Sequence, residues 1–135
     1  MIVVDSSAAL AWSFVDERSA ATLAIASRVR DEGAVVPSLW KLEVANILRL
    51  AVRKERITAL ERNDTLKDFE RLGIEIDGET ADRAWNETLA VADRHDLTVY
   101  DAAYLELAKR RGLPLATLDQ ALAHAARQEG VEVLP

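Results

Sequence analysis

Residues 97–119 constrain the fold most, because a helix-forming segment is followed there within a few residues by a short apolar strand. Asp101 lies at the start of the helical segment, and Gly112 ends it, as glycine often does just beyond a last helical turn. The predicted strand covers residues 115–117, and Asp119 lies just beyond it. Ligand sites in open α/β sheets gather beyond the carboxyl ends of the strands. We therefore expect Asp101 and Asp119 to be neighbours at one edge of a sheet.

The same alternation of short apolar runs and longer helical segments covers the whole chain. It predicts a three-layer α/β/α fold with a mainly parallel central sheet of about five strands. We see no linker, repeat or low-complexity segment, so residues 1–135 are predicted to form a single domain. The predicted strands are residues 2–4, 34–36, 74–76, 115–117 and 131–133. The predicted helices are residues 8–14, 16–30, 39–53, 58–72, 79–94, 100–111 and 119–128.

Composition and charge narrow the classes of function. Half of the residues are hydrophobic and 30% are charged, which is typical of a globular domain. The chain has no cysteine, which excludes disulfides and thiolate metal sites. Its net charge of −6 disfavours a simple nucleic-acid binder, unless bound cations or local basic patches offset the acids. Neither a secretory signal nor an apolar run of membrane-spanning length is present, so we expect a cytoplasmic protein with no membrane partner.

Four acidic residues lie at the end of a predicted strand or on a helix next to one: Asp5, Glu43, Asp101 and Asp119. Each of the aspartates is explained nearly as well by capping or favouring a helix N-terminus, and Glu43 by a solvated stripe along its helix. Together, four carboxylates would repel one another and raise their pKa values unless a cation balanced them. Mg²⁺ and Mn²⁺ prefer oxygen ligands, so we expect a divalent metal ion at this edge.

Several polar side chains stand near these acids in the sequence. Ser7 can bond either a carboxylate or the N-terminus of the following helix, and the sequence does not decide between them. The Thr117 hydroxyl can orient Asp5 or Asp119. Asn46 lies one helical turn beyond Glu43, which indicates either a polar pocket or part of an exposed stripe. The two histidines are far apart in sequence, so a zinc site is disfavoured.

Four sequence pieces then resemble those of the PIN-domain family, and specifically the VapC-type toxins of bacterial and archaeal toxin–antitoxin pairs. They are Ile-Val-Val-Asp-Ser-Ser at 2–7, Leu-Glu-Val-Ala-Asn-Ile-Leu at 42–48, Tyr-Asp-Ala-Ala-Tyr-Leu-Glu-Leu-Ala at 100–108 and Leu-Ala-Thr-Leu-Asp at 115–119. Their order and spacing cover nearly the whole chain. The Tyr-Asp-Ala-Ala-Tyr piece and the later Thr-Leu-Asp are the most specific.

The resemblance implies a function and a set of roles. It implies a metal-dependent endoribonuclease, acting as the toxin of a type II toxin–antitoxin system, with one or two Mg²⁺ or Mn²⁺ ions. The acidic metal site would be formed by Asp5, Glu43, Asp101 and Asp119, and the supporting residues would be Ser7, Asn46 and Thr117. The implied partners are an RNA substrate, a cognate VapB-type antitoxin and a second copy of the chain in a homodimer.

Basic and aromatic residues suggest where these partners bind. Arg49, Arg53, Lys54 and Arg56 follow Glu43, and residues 109–111 end the helix of Asp101, so both groups are candidates for holding the RNA backbone. The alternative is that these cations simply suit helix C-termini. The aromatic residues Trp12, Phe14 and Trp40 are candidates for contacts with a partner, and equally for the core.

Rival functions fit the sequence less well. A receiver-like phosphoacceptor module also gathers acids around Mg²⁺, but it needs a lysine on a late strand, and residues 115–117 contain none. A haloacid-dehalogenase-like phosphatase needs a second acid two residues after the first, where this chain has Ser7. A catalytically inactive PIN-like module that acts through protein binding stays the alternative to the enzyme.

Overall fold

Five short strands form one parallel sheet in the computed structural model, which describes residues 1–134. Each neighbouring pair of strands is parallel, which confirms the predicted sheet. The strand order is β3-β2-β1-β4-β5. The strands are β1 (Ile2–Val4), β2 (Ala34–Val36), β3 (Glu75–Ile76), β4 (Leu115–Ala116) and β5 (Val133–Leu134).

The central strand β1 is flanked by β2 and β4, and this position is explained by its sequence. Ile2, Val3 and Val4 are completely buried, as expected for a β-branched strand that is covered on both faces. Val4 is paired with Ala116, so β1 and β4 end side by side. The residues that follow these two strands therefore meet at the carboxyl edge of the sheet.

Helices connect the strands and complete the α/β/α layers. A 3₁₀ turn at Val15–Glu17 follows the first helix, and a π-helical segment at Ala84–Thr88 separates the fifth from the sixth. The helices are α1 (Ser6–Ser13), α2 (Ala20–Glu32), α3 (Trp40–Arg53), α4 (Ala59–Leu72), α5 (Thr80–Arg83), α6 (Leu89–His95), α7 (Val99–Arg111) and α8 (Gln120–Gln128). Within residues 1–134, no helix has both the length and the apolar character needed to cross a bilayer.

Some predicted boundaries are wrong for identifiable reasons. The second helix begins at Ala20 because Ser19 and Thr22 form a capping box. Asp16, predicted to start that helix, lies instead in the 3₁₀ turn. The last strand begins at Val133, because the Val131 amide still bonds the end of α8 at Ala126 O. The predicted capping box at Thr58 and Glu61 is confirmed.

The structure assigns the candidate interface aromatics to the interior. Phe14 and Trp40 are 5% and 3% exposed, so neither is available to a partner. Trp12 is partly buried, and its ring packs edge-on against Phe69 at 6.0 Å between centroids. Other large aromatic side chains do lie on the surface, since Trp85 is 89% exposed and Tyr100 is 66% exposed.

A buried ion-pair cluster joins α7 to the edge strand β3. The Arg110 guanidinium donates to both carboxylate oxygens of Asp77 and to both of Glu106, at distances of 2.8 to 3.2 Å. The Asp77 and Glu106 side chains are 6% and 7% exposed. Burial alone would raise the pKa of Asp77, but the bonds from Arg110 and Thr80 outweigh it and lower that pKa. One cation thus compensates two buried carboxylates.

Replacing Arg110 with methionine should therefore lower the free energy of unfolding by about 3–5 kcal/mol, because it leaves two buried carboxylates without a counter-charge. The measurement is urea unfolding at neutral pH. The matched control is Arg71→Met, since Arg71 and its partner Asp68 are 75% and 70% exposed. That pair should contribute less than about 1 kcal/mol. Equal losses in the two variants would contradict the assignment.

Candidate active site

Asp5 lies at the carboxyl end of β1 and is held by three hydrogen bonds. Its Oδ1 accepts from Ser7 Oγ at 2.7 Å and from the Ala8 amide at 2.8 Å, and its Oδ2 accepts from Thr117 Oγ1. The side chain is nearly buried, and burial raises the pKa of Asp5 although these bonds oppose the shift. Asp5 is therefore both the N-cap of α1 and the centre of a polar network.

The network continues into the loop after β4. Ser7 Oγ accepts from the Leu118 amide at 3.1 Å, and Thr117 Oγ1 accepts from the Asp119 amide at 3.0 Å. Asp119 in turn caps α8 through a bond from the Leu122 amide. The structure thus decides the alternatives for Ser7 and Thr117, since both hydroxyls donate to Asp5.

Asp101 lies in the first turn of α7, where Thr98 rather than the aspartate is the N-cap. Its side chain is partly buried. Burial and, after it, the charge of Asp119 raise the pKa of Asp101. The charge of Asp101 in turn contributes to the raised pKa of Asp5. Asp101 and Asp119 are therefore close enough to repel, as expected from the spacing of helix and strand.

Glu43 reaches the same site from α3, which follows β2. Its Oε1 accepts a hydrogen bond from Tyr104 Oη. Burial raises the pKa of Glu43, and the charges of Asp101 and Asp5 add to the effect. Tyr104 is 1% exposed and lies three residues after Asp101 on α7. Sequence reasoning gave Tyr104 no role, although the helical i, i+3 spacing from Asp101 placed it on the same face.

The four carboxylates have no cationic partner in the part of the chain that the structure describes. Within residues 1–134, no lysine or arginine forms an ion pair with Asp5, Glu43, Asp101 or Asp119. In the same range, no three acidic or histidine side chains lie close enough together to enclose an ion by themselves. Mg²⁺ often binds one or two carboxylates directly and keeps several waters, so an open, all-oxygen, uncompensated site fits such an ion.

The other predicted site residues are less closely placed. Asn46 is exposed, and among residues 1–134 its side chain makes no hydrogen bond to the acids. Arg49, Arg53 and Lys54 are exposed on the α3 helix or directly after it. Arg56 is paired with acids other than the four, because its guanidinium bonds Asp16 and Glu17 and lies 4.0 Å from the centre of the Phe14 ring.

The cations at the end of α7 do not lie beside the acids, which favours the alternative that they suit the C-terminus of the helix. Lys109, Arg110 and Arg111 lie in the last turn, eight or more positions beyond Asp101, which is at least about 12 Å along the helix axis. All three are also held by acidic partners. The two histidines are likewise remote from the site, since His95 bonds Glu129 and His124 is exposed on α8.

The fold is that of a parallel α/β protein with a cluster of acidic side chains at the carboxyl edge of its sheet. Sequence comparison identifies the family. The family model of the PIN domain matches residues 2–128. The chain therefore belongs to the PIN-domain family, as the four sequence pieces predicted. This membership also excludes the receiver-like alternative.

Curated relatives match over almost their whole length. Ribonuclease VapC3 of Pyrobaculum aerophilum is 31% identical over 122 residues, which cover 90% of this chain and 92% of the relative. Ribonuclease VapC9 of Mycobacterium tuberculosis is 31% identical over 132 residues, covering 96% and 94%. Ribonuclease VapC12 of the same species is 32% identical over 129 residues, covering 93% and 92%.

Solved structures confirm the fold. PAE2754 from Pyrobaculum aerophilum superposes with a TM-score of 0.72 at 24% identity, covering 98% of this chain and 87% of that one. FitAcB from Neisseria gonorrhoeae superposes with a TM-score of 0.67 at 19% identity, covering 100% and 97%.

Neutralising one acid should stabilise the metal-free protein and weaken its response to metal. Because the folded-state pKa of Asp101 is raised, its ionisation destabilises the fold at pH values above the ordinary pKa of 3.8. In chelator, Asp101→Asn should therefore unfold at a higher temperature than the unsubstituted protein at pH 7, and this gain should vanish near pH 3.5, roughly where the carboxyl is protonated in both states.

Mn²⁺ at about 100 times its Kd should stabilise the unsubstituted protein by about 2.7 kcal/mol, and Asp101→Asn by much less. Thermal unfolding with Mn²⁺ and with chelator measures both effects. The control is Asp64→Asn, which changes an exposed aspartate of α4 outside the site. A response of Asp101→Asn equal to that of the control would argue against a metal site at Asp101.

Proposed function

We propose that this protein is a metal-dependent endoribonuclease and the toxin of a type II toxin–antitoxin pair. The observation that carries the proposal is the set of four uncompensated carboxylates at the carboxyl edge, in a PIN-domain chain that covers over nine-tenths of relatives named as ribonucleases. The alternative, an inactive PIN-like module that acts only by binding proteins, has no need of carboxylates that raise one another's pKa values.

The four acids have different roles in the proposed reaction. When bound, Mg²⁺ or Mn²⁺ would neutralise the scissile phosphate and lower the pKa of a coordinated water. Asp5 and Asp101 are the proposed direct ligands. Glu43 and Asp119 are proposed to act through water, orienting the molecule that attacks phosphorus in line. The products of such a hydrolysis are a 5′-phosphate and a 3′-hydroxyl.

The residues around Asp5 restrict the orientation of its carboxylate. Three hydrogen bonds fix its carboxylate, two of them from the Ser7 and Thr117 hydroxyls. Each donor also stabilises the charged form of Asp5 against the effect of burial. Ser7 and Thr117 are therefore proposed to keep this carboxylate ionised and correctly oriented.

The proposed RNA path follows α3. Arg49 lies six residues beyond Glu43, which is about 9 Å along the helix axis, and Arg53 lies about 15 Å along it. Both are exposed, and neither forms an ion pair within residues 1–134. Arg49, Arg53 and the adjacent Lys54 are therefore the proposed contacts with the phosphate backbone, and Asn46, between Glu43 and Arg49, is a proposed supporting residue.

The proposed biological setting is cytoplasmic, with a cognate VapB-type antitoxin that blocks the acidic site. A homodimer is also proposed. Its support is the exposed apolar pair on the helical segment before α7, where Trp85 and Leu89, one turn apart, are 89% and 43% exposed. Large aromatic side chains on a surface are common in protein interfaces.

Purified protein incubated with total RNA should cleave it with Mg²⁺ or Mn²⁺ and not with chelator. Asp5→Asn and Asp101→Asn should each reduce cleavage by about 10²–10³-fold or more, because each removes negative charge that the metal requires. Mapping of the 5′ ends should find 5′-phosphates. Circular dichroism checks that each variant is folded, and Asp64→Asn is the matched control. Cleavage by both site variants at the control rate would refute the site, whereas no cleavage by the unsubstituted protein would favour the inactive module.

Reversing the charge of the α3 cations should weaken RNA binding in a salt-dependent manner. Arg49→Glu with Arg53→Glu removes two phosphate contacts, so the slope of log K against log salt should become shallower by about 0.7 for each contact. Fluorescence anisotropy in the Asp101→Asn background measures binding to intact RNA. The control is Arg30→Glu, since Arg30 is exposed in the last turn of α2, which leads to the start of β2 and the other edge of the sheet. Identical slopes for both variants would remove α3 from the RNA path.

A further inference from the structure

One hydrogen bond connects two helices that carry site carboxylates. Tyr104 Oη donates to Glu43 Oε1, across 61 residues of sequence. Glu43 lies in the first turn of α3, and Tyr104 lies one turn beyond Asp101 on α7. The second tyrosine of the Tyr-Asp-Ala-Ala-Tyr piece therefore touches a site acid, whereas the first, Tyr100, is 66% exposed.

The environments of the two partners differ sharply. The Tyr104 residue is 1% exposed, and its ring is part of the main hydrophobic core. Glu43 is partly exposed, and its carboxylate stands against the repulsion of Asp5 and Asp101. A buried ring fixes the position of its hydroxyl, because it cannot change rotamer without disturbing close-packed neighbours. The tyrosine is thus the rigid member of the pair and Glu43 the member that is held.

Within residues 1–134, no other hydrogen bond or ion pair orients the Glu43 side chain. Asp5 accepts three hydrogen bonds, and Asp119 accepts a bond from the α8 N-terminus, but among the described residues Glu43 accepts only the bond from Tyr104. Without that bond, a glutamate with three rotatable torsions would move away from the other carboxylates, because their charges repel it. The bond also occupies Oε1, which leaves Oε2 as the oxygen free for an ion or a bound water.

We propose that Tyr104 is a positioning residue of the acidic site: its hydroxyl holds Glu43 beside Asp5 and Asp101 and leaves Oε2 free to accept a hydrogen bond from a water that a bound ion would hold. This rests on the proposed metal-dependent function. Groups that orient metal-binding side chains typically contribute about 10–100-fold to metal affinity or activity. The ring of Tyr104 packs in the core and contributes to stability, whereas its hydroxyl contacts the site. The two contributions can therefore be measured separately.

The experiment compares Tyr104→Phe, which removes only the hydroxyl, with the matched control Tyr100→Phe. Calorimetric titration of the metal-free proteins with Mn²⁺ gives the affinity. We expect Tyr104→Phe to weaken Mn²⁺ binding by about 10–100-fold and Tyr100→Phe to leave it unchanged. In RNA cleavage, Tyr104→Phe should lower kcat with little change in KM, because Glu43 is placed at the reacting phosphate and not along the RNA path.

A second pair of variants tests whether Tyr104 acts through Glu43. In a Glu43→Gln background, the Tyr104→Phe substitution should cause little further loss of Mn²⁺ affinity, since the carboxylate that it positions is already absent. Urea unfolding of every variant reports the structural contribution. Unchanged Mn²⁺ affinity in Tyr104→Phe, or a loss that is fully additive with that of Glu43→Gln, would overturn the proposal.

The outcomes also separate this inference from the function on which it rests. Weaker Mn²⁺ binding by Tyr104→Phe, in a protein that cleaves no RNA, would support the positioning role and refute the ribonuclease. Normal RNA cleavage by the unsubstituted protein, with Mn²⁺ affinity and kcat unaffected by Tyr104→Phe, would support the ribonuclease and refute the positioning role.

Discussion

The carboxyl edge of the sheet depends on the hydrogen bonds of Asp5. This one carboxylate accepts hydrogen bonds from an amide at the α1 N-terminus and from the Ser7 and Thr117 hydroxyls. It therefore joins the end of β1 to the start of α1 and to the loop after β4. Ser7 and Thr117 in turn accept amides of that loop, which places Asp119. Asp5 therefore caps a helix and organises the candidate site through the same set of hydrogen bonds.

This arrangement is electrostatically unfavourable, because it brings several carboxylates together in a partly buried place. Burial raises the pKa values of Asp5, Glu43 and Asp101, and each is raised further by a neighbouring site carboxylate. Elsewhere the protein pairs its acids with cations. Arg110 does so for the buried Asp77 and Glu106, and Lys109 and Arg94 do so for Glu129, whose pKa these contacts and a hydrogen bond with His95 lower to about 2. Clustered acids that have no cation partner within residues 1–134 thus mark the candidate site, whereas acids paired with cations belong to the ion pairs that stabilise the fold.

Much of the candidate site was predictable from local sequence. Asp5, Asp101 and Asp119 follow strands or begin helices, and in a parallel sheet such positions meet at one edge. The cations were less predictable, because the positions of Arg56 and of residues 109–111 in sequence did not reveal the acids that bind them. The sequence left the aromatic residues open between core and interface for a similar reason: Trp40 is buried and Trp85 is exposed, and hydrophobicity alone does not distinguish them.

The sequence by itself determined the alternation of strands and helices, most of their caps, and the family, because apolar periodicity, glycine stops and capping residues act over a few neighbouring positions. Tertiary structure alone decided the strand order, which brings β4 beside β1, and with it the contact of Thr117 with Asp5 across 112 residues. It likewise decided that Tyr104 holds Glu43. Both contacts join segments distant in sequence, so their partners are fixed only when the sheet and its helices pack into one core.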